Sequence, residues 1–121
     1  MAATALAEQA VLGAYVLETA TQFTTVTMTA GDPTNMNSIV MSSGRCLVII
    51  QNADVANAEW VTVYSSEDPH GRVANINQES IAAAGWRAFV FEGRGWEQTL
   101  GGRNLLIDVE STDVKLLAIP I

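Results

Sequence analysis

The chain has 121 residues, enough for one domain with an ordinary core. Apolar residues make up 49% and charged residues only 16%, with 13 acidic against 6 basic side chains and a formal net charge of -7. One lysine, Lys115, and five scattered arginines supply no cationic track of the kind phosphate backbones require, which argues against nucleic acid as a partner.

Residues 1–20 stand apart from the rest. An Ala-rich stretch to Ala10 leads into Val11-Leu12-Gly13-Ala14-Tyr15-Val16-Leu17, with no strict helical or strand period. An isolated helix of this length is marginal in water, and Gly13 weakens it further, so the segment reads as an N-terminal arm ordered by contact with another body. It lacks the basic start of a secretory signal, and no apolar run in the chain reaches the roughly 18 residues that cross a bilayer. The expectation is a protein made in the cytoplasm with no membrane role.

From residue 21 onward, short runs of Val, Ile, Thr and aromatics alternate with Gly, Pro, Asn and Asp, the pattern of many short strands. Phe23 to Ala30 and Trp60 to Ser65 alternate polar and apolar residues, predicting strands with one face on a core. Cys46 to Ile50 and Leu105 to Ile107 are apolar throughout and predict strands covered on both faces. Trp86 to Phe91, Asn104 to Glu110 and Val114 to Ile119 complete the set, and Pro120 places the last strand's end at a sheet edge. Gly31-Asp32-Pro33, Ser42-Ser43-Gly44 and Ser111-Thr112-Asp113 are turns. The fold class expected is all-β: one β-sandwich over residues 21–121, the jelly roll being one topology that fits, preceded by the arm at 1–20.

Candidate chemistry is sparse. Ser65 to Arg72 gathers Ser, Asp, His and Arg, but residues this close on one loop do not converge as a nucleophile, base and carboxylate triad, and Asp68-Pro69-His70-Gly71-Arg72 reads as a rigid turn. His70 and Cys46 alone do not make a zinc or haem site. Asp32, Asn35 and Asn37 offer oxygens that calcium could use, yet the spacing is that of an Asx-stabilised loop and not of an EF-hand. Gly93-Arg94-Gly95 and Gly101-Gly102-Arg103 lack the ending of a phosphate loop. No catalytic, metal or cofactor residue is assigned, and an enzyme is not expected. Trp60, Trp86 and Trp96 are either interface anchors or sugar-stacking platforms, with Trp60 or Trp86 expected in the core.

The order of pieces from Thr25-Val26-Thr27-Met28-Thr29-Ala30 through Gly44-Arg45-Cys46-Leu47-Val48-Ile49-Ile50-Gln51-Asn52, Val61-Thr62-Val63-Tyr64-Ser65 and Asp68-Pro69-His70-Gly71-Arg72 resembles a family of small tailed-phage head auxiliary proteins. His70 stands where the family pattern comfortably holds Tyr. The resemblance implies a decoration (cement) protein on the outside of the virion capsid, with the major capsid protein as partner and a homotrimer as its assembly. Contact residues expected on this reading are Val11, Leu12, Tyr15 and Val16 of the arm and Asp68, Pro69, His70 and Arg72 of the loop. The alternative is a carbohydrate-binding β-sandwich of a phage tail or fibre.

Overall fold

A computed structural model describes residues 3–10, 26–66, 75–97 and 104–121. The described strands are β1 (Thr4–Ala5), β2 (Thr29–Ala30), β3 (Asn37–Val40), β4 (Arg45–Asn52), β5 (Glu59–Tyr64), β6 (Ile76–Ile81), β7 (Trp86–Glu92), β8 (Asn104–Val109) and β9 (Val114–Pro120), with one helical turn, α1 (Gly93–Trp96), after β7. They form a five-stranded sheet, β1-β3-β8-β5-β6, and a four-stranded sheet, β2-β9-β4-β7. The chain is an all-β sandwich, as its short apolar runs require. Successive strands change sheet at every step except from β5 to β6, which are hydrogen-bonded neighbours. Pairing is antiparallel everywhere but at β1, which joins β3 parallel.

The core lies between the sheets. Ile39, Val61, Val63, Ile81, Leu105, Ile107 and Val109 of one sheet meet Cys46, Val48, Ile50, Phe91, Leu116 and Ala118 of the other. Along β4 burial alternates, with Cys46, Val48 and Ile50 inside and Leu47 and Ile49 half-buried on the far face. The expectation that Cys46 to Ile50 is covered on both faces is therefore corrected: the run is continuous in sequence but two-sided in space. Leu105 to Ile107 behaves the same way, with Leu106 half-buried. The strand expected over Phe23 to Ala30 pairs with β9 only at Thr29 and Ala30, while Val26 to Met28 are described without strand pairing.

Two buried asparagines close the sandwich at its turns. Asn37 donates from Nδ2 to the Ile107 carbonyl at 3.2 Å and accepts the Asp32 amide at 2.9 Å. Asn52 donates to the carbonyls of Asn57 (3.0 Å) and Ile81 (3.1 Å) and accepts the Asp54 amide at 3.0 Å. In each case a side-chain amide supplies both halves of a hydrogen-bond pattern that the turning backbone has lost. Gly31 is fixed by close approach, because a Cβ there would lie 2.7 Å from Val109 Cγ2 and 2.9 Å from the Val114 carbonyl.

The expected arm is, at its start, part of the sandwich. Thr4 and Ala5 pair with Asn37 and Ser38, Leu6 is buried in the core, and the Gln9 amide donates to the Ala118 carbonyl at 2.8 Å. Residues 3–10 thus touch both sheets of their own chain, and a segment reaching elsewhere would have to begin after them. Pro120 sits opposite Cys46 with the Ile121 amide donating to Arg45. Because β2 faces only Lys115 and Leu116, the outer side of β9 has no described strand partner at Pro120, so its missing amide leaves no gap in the ladder.

Candidate interaction surface

All eight residues singled out from the sequence as contacts, Val11, Leu12, Tyr15, Val16, Asp68, Pro69, His70 and Arg72, lie outside the described residues. Their flanks are described and are pinned. The Gln9 side chain bonds both the Thr27 carbonyl (2.7 Å) and the Thr27 amide (2.9 Å), bringing the two ends of segment 11–25 together. The Asn75 side chain accepts the Ser65 amide at 2.9 Å across the base of the loop that carries Asp68 to Arg72.

The described surface with the strongest chemical character is the outer face of the four-stranded sheet. Strand alternation turns Leu117 and Ile119 of β9, Leu47 and Ile49 of β4, and Trp86, Ala88 and Val90 of β7 away from the core. Their rows run Ile119-Leu47-Val90 and Leu117-Ile49-Ala88, and burial falls along each row from buried at β9 through half-buried at β4 to exposed at β7. Trp86 is 53% and Val90 51% exposed. No charged residue interrupts these two rows, although the chain carries a net charge of -7. The solvent-facing part of the strip is Leu47, Ile49, Ala88 and Val90, since Leu117 and Ile119 are already buried in the chain.

The tryptophans divide. Trp86 is exposed on the four-stranded sheet, Trp60 is half-buried and alternates with the core residue Val61 on the other sheet, and Trp96 packs edge-on against Phe91 at 5.0 Å. Neither Trp60 nor Trp86 is in the core, which corrects that expectation. The three face different ways and make no common sugar-stacking groove.

Acidic groups gather at the opposite chemical extreme. Oxygens of Asp54, Glu59 and Asp113 lie within 4.8 Å of one another. Glu59 is buried, and a hydrogen bond with the Glu110 carboxyl, followed by burial, raises its pKa to about 7. A carboxyl that keeps a proton near neutrality is a weak cation ligand. Asp54 is lowered by the amides of Ala56 and Asn57, which donate to it at 2.8 and 3.1 Å. The Asp32 loop is the Asx turn the sequence implies: Asp32 accepts from the Thr4 hydroxyl and from the amides of Asn35 and Thr34, which together lower its pKa to about 2. Burial, reinforced by the Glu8 carboxylate, pushes the Cys46 thiol up to about 12, so it is inert as a nucleophile at neutral pH.

Comparison with known proteins finds no family model that matches the chain and no curated protein or solved structure similar to it. The molecule is a β-sandwich with an apolar outer face on its four-stranded sheet.

Proposed function

We propose that this protein is a capsid decoration protein that binds the outside of a tailed-phage head and stabilises the shell by contact with the major capsid protein. The carrying observation is the uncharged surface of Leu47, Ile49, Ala88 and Val90 on the outer face of the four-stranded sheet. On an acidic chain such a strip is where a protein partner docks without burying unpaired charge. Strand order adds support of a second kind: taking β2 to β9 as eight strands, the sheets read β2-β9-β4-β7 and β3-β8-β5-β6, an order in keeping with the jelly roll used by many virion domains. Fold alone does not specify function, so the strip and the resemblance to head auxiliary proteins carry the reading together.

The test is cosedimentation of purified protein with expanded capsids that lack it. Saturable binding at a fixed ratio to the major capsid protein is expected, and the double variant Leu47→Lys, Ile49→Lys, folded by circular dichroism, should lose it. No binding of the unaltered protein to shells with a native surface overturns the proposal.

A further inference from the structure

The sandwich has four sheet edges among its described strands, and three of them are blunted. β1 and β2 are two residues long. β6 is interrupted by a bulge, where Val61 faces Glu79 but Val63 faces Ile76, with Gln78 at φ 45° and its amide turned to the Thr62 hydroxyl at 2.9 Å. It also carries Glu79 at its centre. These are the devices by which proteins prevent strand addition.

β7 is neither short nor bulged, and its two charges, Arg87 and Glu92, leave the stretch from Ala88 to Phe91 uncharged. It pairs with β4 over seven consecutive positions, Trp86 to Glu92, without bulge or proline. The Gly93 amide donates to Gly44 and the Asn52 amide to Gly85, so the odd-numbered residues of β7 bond to β4 and the even-numbered ones point their amides and carbonyls outward. Of these, the Trp86 carbonyl is taken by the Arg87 guanidinium at 3.3 Å, and Glu92 ends the strand at the N-cap position of α1. Between them lie Ala88 and Val90, both exposed, whose outward backbone groups have no partner among the described residues.

We infer that β7 is a homodimer edge: two copies of this chain pair antiparallel through β7 about a two-fold axis at Phe89, joining their four-stranded sheets into one. Self-complementarity selects the second copy as occupant. With the axis at Phe89, Ala88 faces the copy's Val90 and each residue's amide and carbonyl meet their counterparts, so the two bare positions satisfy one another. The same register sets Phe89 against its own copy as a close aromatic pair, extending the row in which Trp96 packs on Phe91 and Phe91 lies 5.8 Å from Phe89. It also holds the two Arg87 side chains four residues out of step, so that like charges do not meet. A three-fold ring would instead need β7 to pair with a different edge, and the other described edges are short or bulged. The inference rests on this edge alone and not on the capsid reading.

Analytical ultracentrifugation of the full chain tests it. The expected species, populated as concentration rises through the micromolar range, has twice the 12.9 kDa mass of one chain. Val90→Pro removes an amide that points away from β4, so the ladder to β4 is kept; this variant should remain monomeric with unchanged far-ultraviolet circular dichroism. Phe89→Cys should form a disulfide-linked dimer on mild oxidation, since facing residues of a non-hydrogen-bonded pair lie about 4.5 Å apart at Cα, within disulfide reach, while Cys46 is buried. A chain that stays monomeric to millimolar concentration, a mass of three chains, or an assembly that survives Val90→Pro overturns the inference. Capsid cosedimentation of Val90→Pro separates the two readings, because loss of the dimer with shell binding retained leaves the decoration proposal standing.

Discussion

β6 and β7 follow one another in the chain, end opposite sheets, and could hardly be less alike. β6 reads Ile76-Asn77-Gln78-Glu79-Ser80-Ile81, is bulged, and is exposed along four central positions. β7 is regular and apolar from Ala88 to Phe91, and its outer face is left to solvent. Both are edges, so the difference lies in whether the sequence has made the edge unusable. An edge that must not be extended is kinked; one that has a use for its free ladder keeps it in unbroken register.

The two edges are tied together at the corner between the strands. Asn52 holds the Ile81 carbonyl at the end of β6, while its own backbone amide bonds Gly85 just before β7. Asn52→Ala leaves buried carbonyls without donors and should cost about 3 kcal/mol in urea denaturation, with amide exchange accelerating at both edges together. Unequal acceleration would show that the corner does not couple them.

A titration sharpens the contrast. Glu59 opens β5 opposite Ile81 of β6, and its carboxyl titrates at about 7 against an ordinary value of 4.5. Because the folded state holds this proton more tightly, the associated stability is fully present below pH 4.5 and is lost as pH rises through 7. Melting temperature should fall by several degrees between pH 5 and pH 8, and Glu59→Gln should flatten that slope. An unchanged slope in the variant would place the titration elsewhere.

The smallest effect tests the bulge. Thr62→Val removes the acceptor of the Gln78 amide and should cost about 1 kcal/mol, with exchange protection lost at Gln78 and retained at Val90's neighbours on β4. Equal loss on both edges would mean that the bulge is not a local device.

Much of this architecture is legible in the residues and some of it is not, for identifiable reasons. The strands at Cys46, Trp60, Trp86, Asn104 and Val114 announce themselves because apolar side chains recur on at least one face. β3 and β6 do not: β3 is four residues long, and the mid-strand residues of β6 face solvent on both sides, so they have no reason to alternate. The apolar run at Cys46 to Ile50 reads the same whether its second face is covered by the chain itself or kept for a partner, and sequence alone chose the first. Nor could an outward-pointing amide be read from letters. The bare positions at Ala88 and Val90 follow from the parity of the pairing with β4, which no residue type encodes.

Gln9 carries one further consequence. By bonding both backbone groups of Thr27, its side chain stands in for a strand partner and brings together the points where the chain departs after Ala10 and returns at Val26. Those two ends are held to the sandwich itself, through the Gln9 amide on Ala118 and the pairing of Thr29 with Leu116. One side chain thus fixes where two stretches of chain 18 positions apart in sequence meet.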